Sequence, residues 1–317
     1  MQANRNQLMV IGANGEKIAA HRTKMTLGRK LFIIGMIIVP IINLLVFYVG
    51  VNFESILMAF RQTKKGEVIY SLKNFEMLFD SFGMMDSVMS EALKNTLLFY
   101  FYGLIIETPI ILLLSYFLYK KIAGYKVFRI IFFLPSIISG IVMAMLYRYL
   151  LSVDGPVAML LEKILGLSTP PEILADSRYA IWACVFYSTW AGVGTSMLYY
   201  TSAMSRIPPE VLEAAKLDGV GWLREWWQII IPLIWPTLST LLLLGVSGLF
   251  TASGPILLLT KGAYKTNTIS FWMYMQVLNQ SNLEYASAVG LFYTMLSIPV
   301  VLFARWILKK FDSEVEY

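Results

Sequence analysis

IPPEVLEAAKLDGVGWLREWWQIIIPLIWP, residues Ile207 to Pro236, is the stretch on which the reading of this chain turns. It is a short charged hairpin set between long uncharged runs: residues 179–205 and 226–260 contain no Asp, Glu, Lys or Arg. Working outward, residues 31–53, 130–147 and 285–304 are also free of charge, and 95–119 is interrupted only by Glu107. A helix needs about 20 mostly apolar residues to cross roughly 30 Å of hydrocarbon. The pattern predicts an all-α membrane protein with six spans, at about 31–53, 95–119, 129–150, 180–203, 236–259 and 285–305, and the hairpin 207–236 between the fourth and fifth. Residues 1–30 and 311–317 flank this 31–310 domain as terminal segments.

Composition agrees with that prediction. The 317 residues are 57% hydrophobic and only 15% charged, with a mean hydropathy of +0.65. Soluble chains average about 25% charged and 45–50% apolar residues. The net charge of +6 does not point to nucleic acid, because the basic residues flank the apolar runs, where they set membrane orientation. One cysteine, Cys184, and one histidine, His21, exclude an internal disulfide and an ordinary structural zinc site. The first run is too long for the apolar core of a secretion signal. VNFESILMAF after it lacks a small-residue cleavage site, so it is expected to stay as the first span.

Lys and Arg give the orientation. The N-terminal segment holds Arg5, Lys17, Arg22, Lys24, Arg29 and Lys30 against Glu16, and the second connection holds Lys120, Lys121, Lys126 and Arg129 with no acid. The connection 151–179 has only Lys163 and Arg178, and 261–286 only Lys261 and Lys265. Both termini, the second connection and the 207–236 hairpin are therefore expected in the cytoplasm, in a multi-pass protein of the cell membrane.

Within the hairpin, Pro208 and Pro209 suit a helix start, since proline is pre-set for the first turn and has no amide to leave unpaired. Glu210 and Glu213 lie close to the positive end of that helix. Val211, Leu212, Ala214, Ala215 and Leu217 supply an apolar surface with two small residues side by side. Asp218-Gly219 signals a stop and turn. A second short helix, about Gly221 to Ile230, is expected to end at Pro232 and Pro236, where the fifth span starts. Two readings stand: a knob that docks on a protein, or an interfacial helix on lipid head groups. The tryptophans fit the second, but anionic lipid would repel the acidic first helix.

Glu213-Ala214-Ala215, then Lys216-Leu217-Asp218-Gly219, then Ile231-Pro232, resembles the EAA loop of permease subunits of binding-protein-dependent ABC importers, in particular the sugar permeases of the maltose and glycerol-phosphate type. Weaker likeness runs from Leu72 to Lys310, through SLKNFEMLF, Leu134-Pro135, TKGAYKTNT and YASAVGL. Val220 stands where alanine is usual, and Lys261-Gly262-Ala263 replaces the common double-Gly-Pro form. The resemblance implies a type I ABC importer permease fold with a cytoplasmic coupling helix seated in a cleft of an ATPase. Glu213 would pair with a basic group or backbone amides there, Ala214 and Ala215 would permit tight seating, Asp218 would orient the turn and Gly219 would allow it. It also implies a second permease subunit, as a heterodimer, two ATP-binding subunits carrying Mg-ATP, an extracytoplasmic solute-binding protein and a sugar, an oligosaccharide by preference. The chain itself would hold no cofactor and catalyse nothing: it has no G-x-x-x-x-G-K-[ST] phosphate loop, and Gly192-Val193-Gly194 reads as a site of close helix packing.

The solute path is less legible. Glu107, followed by Thr108 and Pro109, is an ionisable group at membrane depth, which is costly and a functional candidate by default. The alternatives are a cap for backbone groups freed at Pro109 or a pairing with a sister subunit. Tyr187, Trp190, Ser247 and Thr251 are further candidates, because sugars bind aromatic faces with hydroxyls nearby. TISFWMYMQVLNQ, Thr268 to Gln280, is expected to lie in the outer interface; the alternative is contact with the binding protein. A secondary carrier would need charges in several spans, and a membrane enzyme a catalytic cluster; an ABC importer for a non-sugar solute would share the hairpin.

Overall fold

The computed structural model describes residues 9–11, 17–19, 26–64, 67–83, 88–166, 172–251, 253–279 and 282–311. It divides into two compact units, residues 1–57 and 58–317. Most of the terminal segment 1–30, and 312–317 of the tail, lie outside the described residues.

In the first unit, β1 (Met9–Ile11) pairs antiparallel with β2 (Lys17–Ala19). Most of the long helix α1 (Leu27–Phe60) follows. Pro40 lies inside it, and Leu44–Gly50 winds as a π-helix in the next turn. A proline removes one rung of the helix ladder and crowds the carbonyl four residues back. A wider turn nearby is one way to accommodate it.

The second unit opens with an antiparallel hairpin of β3 (Arg61–Lys64) and β4 (Glu67–Tyr70). Helix α2 (Lys73–Gly83) follows; Asn74 near its start donates to the Ala59 and Arg61 carbonyls, each at 2.9 Å, and so pins the hairpin. The remaining helices are α3 (Val88–Tyr119), α4 (Tyr125–Ile137), α5 (Gly140–Leu150), α6 (Pro156–Leu165), α7 (Ala180–Met204), α8 (Pro209–Leu217), α9 (Trp222–Ser247), α10 (Ile256–Leu259), α11 (Ile269–Leu278) and α12 (Leu283–Lys310).

Among the described residues, α1, α3, α9 and α12 are long and apolar enough to cross a membrane. The run expected as one span over 129–150 is the pair α4 and α5, bent by 107°. Two extended residues, Ile138 and Ser139, make the corner, in a stretch where Ser136, Ser139 and Gly140 are all weak helix formers. Counted as one, the pair makes a fifth span. Helix α7, with 25 residues, is long enough for the sixth, but its Ser, Thr, Tyr and Gly content lowers its hydropathy. The packing explains why that is tolerated: α3, α4, α5 and α9 all lie against α7, so it needs less lipid-facing surface. Gly194 marks the closest approach. A Cβ there would sit 2.7 Å from the Phe132 carbonyl oxygen and 3.0 Å from the Phe133 Cα, whereas one on Gly192 would meet nothing. Close packing therefore belongs to Gly194 alone.

The fifth span also differs from expectation. The second hairpin helix does not end at Pro232 and Pro236; α9 runs through both. The π-helical turn Trp226–Ile230 sits just before Pro232, so the ladder is already widened where the proline withholds its amide. In exchange α9 stops at Ser247; 248–251 is turn, and 253–255 leads into α10.

Candidate functional site

Helix α8 is capped by Pro208 with Pro209 in its first turn, and Glu210 lies at the positive end. It stops at Asp218 and Gly219, whose φ of +70° is left-handed. The Gly219 amide bonds the Lys216 carbonyl at 3.2 Å and the Val220 amide bonds the Ala215 carbonyl at 3.0 Å. That bond pair is the Schellman closure, which favours glycine at this position.

The helix has two faces. Ile207 and Ala215 are buried, and Val211 and Leu212 pack against a cluster that includes Tyr116, Met204, Ile207 and Ile230. Glu210, Glu213, Ala214 and Leu217 are exposed; at spacings of three and four they share one side of the helix. Leu217 is 89% exposed, although leucine gains about 2 kcal/mol from full burial. Of the two alanines expected to seat a partner together, only Ala214 faces out; Ala215 packs inward. Asp218 and Gly219 are exposed at the tip.

One feature of the hairpin escapes sequence reasoning. Glu225, in the first turn of α9, is only 6% exposed. Its carboxylate accepts two bonds from Lys120 Nζ, at 2.8 and 3.1 Å. Lys120 caps the end of α3. Beside the pair the Phe117 and Trp222 rings lie 5.5 Å apart. The only trace in the sequence is an acid standing among tryptophans ahead of the fifth span; nothing there names a partner so distant in the chain.

The candidate path residues do not form one cluster. Glu107 Oε2 accepts from Thr189 Oγ1 of α7 at 3.1 Å. It lines a cavity of about 260 Å³ together with Tyr100, Thr108, Ser196, Tyr200 and Gly245; Ser196 and Tyr200 were not anticipated. The π-helical turn Gly103–Glu107 precedes Pro109, and Thr108 Oγ1 donates to the Gly103 carbonyl at 2.9 Å. The Gly103 carbonyl also accepts the Thr108 backbone amide. Tyr187 is 5% exposed, its hydroxyl donating to the Gly140 carbonyl at 3.2 Å. Trp190 packs with it and with Tyr147. Ser247 and Thr251 are exposed, with hydroxyls bonded to the Leu243 and Gly248 carbonyls.

Beyond α9 the backbone is tightly built. Lys261, Tyr264 and Lys265 have φ of 53°, 55° and 58°, and Gly262 has 76°. Asn95 Nδ2 donates to the Lys265 and Asn267 carbonyls at 2.9 and 2.8 Å, and the Thr260 and Thr266 hydroxyls share a 2.6 Å bond. Lys261 and Tyr264 line a cavity of about 460 Å³ with Arg148, Ser152 and Glu172. Close by in sequence, hydrogen bonding from Arg178 holds the Asp176 carboxyl below the ordinary carboxylate range. TISFWMYMQVLNQ forms α11, with Thr268 accepting from the Phe271 amide at its start and Ile269 and Phe271 buried; Gln280 is outside the described residues.

Comparison with known proteins extends these observations. Residues 107–317 match the family model for the binding-protein-dependent transport system inner membrane component. The chain is 25% identical, over 86% of its length and 87% of the relative's, to the arabinooligosaccharides transport system permease protein AraP of Bacillus subtilis (strain 168). It is 25% identical to the multiple sugar-binding transport system permease protein MsmF of Streptococcus mutans serotype c, over 87% and 94% of the two lengths. Its fold matches a chain of a bacterial ABC transporter involved in the import of the acidic polysaccharide alginate. There the TM-score is 0.79 and the identity 24%, over 90% of this chain and 98% of that one. The family match spans most of the chain, including the hairpin and all the spans after the first two, and this multi-pass membrane protein belongs to the binding-protein-dependent transport system inner membrane component family.

Proposed function

We propose that this chain is a membrane-spanning subunit of an ATP-driven importer and forms part of the path for a sugar, an oligosaccharide in the first instance. One observation carries the reading: α8 presents Glu210, Glu213, Ala214 and Leu217 outward on a hairpin whose other face is packed into the bundle. An exposed leucine with Glu213 and Asp218 beside it is less suited to anionic lipid than to a protein cleft with basic or amide donors. The distribution of Lys and Arg supports a cytoplasmic hairpin and cytoplasmic termini. The names of similar proteins support the solute class: they include permeases for arabinooligosaccharides and lactose, and a chain of an alginate importer.

On this reading two ATPase subunits close on Mg-ATP and draw the hairpins of this chain and a second permease together. The spans then change from inward-open to outward-open, and a loaded extracytoplasmic binding protein releases its sugar into the path. Glu213 makes a charge-assisted contact with the ATPase, Ala214 and Leu217 fill its cleft, and Asp218 with Gly219 shapes the tip. Glu107, with Ser196 and Tyr200, is the path candidate that a cavity supports.

The test is purification from detergent after co-expression with candidate ATPase, permease and binding-protein partners. Wild type should bring down an ATPase; Leu217→Asp and Glu213→Lys should insert normally and lose it. An ATPase held equally well by both variants would overturn the docking role. Failure of a cognate binding protein to bind any sugar in a thermal-shift screen would overturn the solute class.

A further inference from the structure

We infer that Lys120 and Glu225 are a positioning pair: their ion pair fixes the register between the coupling hairpin and α3, so that motion of the hairpin reaches the cavity-lining part of the membrane bundle. The inference rests on the reading above and adds the element by which force would leave the hairpin.

Three observations lead to it. The pair joins the two places that must move together. Glu225 is in the first turn of the helix that follows the α8 tip, and Lys120 ends the helix that carries Tyr100, Glu107 and Thr108 into the cavity. The contact is directional: one ammonium bonds both carboxylate oxygens, at 2.8 and 3.1 Å. Apart from a hydrogen bond between the Tyr116 side chain and the same carboxylate, the rest of the junction is not. Val211, Leu212 and Trp226 meet the apolar cluster around Tyr116 and Ile230, and Trp222 meets Phe117 through ring faces. Apolar burial is non-directional, so a helix seated on it alone can slide or rotate under load. A charge pair whose carboxylate is buried resists that, because displacement strands the carboxylate away from water. Its best-attested use in proteins is to fix register.

The surroundings provide no second charge: Tyr116 also hydrogen-bonds Glu225, but it is neutral. Lys120 and Glu225 form the only ion pair between helices among the described residues. The Tyr116 ring centroid lies 6.0 Å from Lys120 Nζ, a contact that attracts the ammonium without fixing its direction. Glu225 is 6% exposed and has Lys120 as its one cationic partner among the described residues.

The test uses the full complex in proteoliposomes and measures three quantities for each variant: ATPase co-purification, ATP hydrolysis and sugar taken up per ATP. Replacing both charges with apolar groups, Lys120→Met with Glu225→Leu, removes the ion pair without stranding a charge. This variant should insert, unfold at an unchanged temperature, retain its ATPase and hydrolyse ATP. Its uptake per ATP should fall roughly tenfold, within the range typical of coupling between sites. The reversed pair, Lys120→Glu with Glu225→Lys, should restore most of the loss. Normal uptake per ATP in the apolar variant would overturn the inference. So would a reversed pair no better than the apolar one, since packing and not the ion pair would then be what matters. Failure of the wild-type chain to retain an ATPase would instead overturn the functional reading on which the inference stands.

Discussion

Gly219 gives a graded test of the hairpin tip. Its φ is +70°, and a Cβ built on it would meet nothing within 4 Å. Alanine there has one cost, the left-handed backbone, of about 1–2 kcal/mol. Asparagine, which enters that region more readily than other side chains, should cost less. Proline differs in kind. Its ring fixes φ near about −65° and removes the amide, so it cannot adopt the native turn and breaks the 3.2 Å bond to the Lys216 carbonyl. The Val220–Ala215 bond at 3.0 Å depends on the same turn, so the last turn of α8 must rearrange, at about 3 kcal/mol or more. The expected order of uptake is wild type, then asparagine, then alanine, with proline close to background while the bundle remains inserted. The assay is solute uptake alongside ATP hydrolysis in proteoliposomes. If alanine is as damaging as proline, backbone conformation is not why glycine stands here. If proline transports like wild type, the tip does not transmit force.

The other predictions concern the scaffold. Gly194→Ala would place its Cβ 2.7 Å from the Phe132 carbonyl oxygen, which is backbone and cannot rotate away. Overpacking of this kind costs about 1–3 kcal/mol, and an unchanged unfolding temperature in detergent would contradict the close approach of α4 and α7. Tyr293, 2% exposed, has a buried hydroxyl without a partner among the described residues. Tyr293→Phe should therefore be neutral or stabilising by about 1 kcal/mol; a clear loss of thermal stability would show that the hydroxyl has a partner. Asn95→Leu removes the donor for two carbonyls, at 2.9 and 2.8 Å, and should cost roughly 2–3 kcal/mol. Amide exchange over 261–267 should rise sharply while exchange in α8 stays unchanged, and protection retained in 261–267 would refute the anchoring role.

What could be read from the sequence is what local rules determine. The uncharged runs locate the long helices because lipid excludes charge over a fixed thickness. The bounds of α8 are legible because proline at a start and Asp-Gly at a stop act within one turn of where they stand. The close packing at Gly194 is legible as a glycine in an apolar run, although the sequence cannot separate it from Gly192, which differs only in what lies opposite. The remaining features depend on neighbours far away in the chain. Glu225 looks like one more acid on a charged hairpin until α3 ends beside it. Ala215 looks like a docking residue until α8 lies on the bundle and turns it inward. The course of α9 through Pro232 and Pro236 required a π-helical turn, which no proline count predicts.

The two ends of the bundle are held by different physics. At the end opposite the hairpin, Lys261, Tyr264 and Lys265 take left-handed backbone, at about 1–2 kcal/mol each, or roughly 3–6 kcal/mol together. Around them Asn95 makes two bonds, the Thr260 and Thr266 hydroxyls share one, Thr266 adds one to the Ala263 carbonyl, and Thr96 accepts from the Ile269 amide. At about 1 kcal/mol net per bond the network roughly offsets the strain, so this end keeps its shape only while nearly every bond is intact. The hairpin end carries no such network. It rests on an apolar cluster, which tolerates small displacements, and on one ion pair whose carboxylate also bonds the Tyr116 side chain, which does not. A structure that must move at one end and keep its form at the other has reason to be built in this way, and it places the sensitivity to single substitutions where the bonds are directional: at Asn95, and at Lys120 with Glu225.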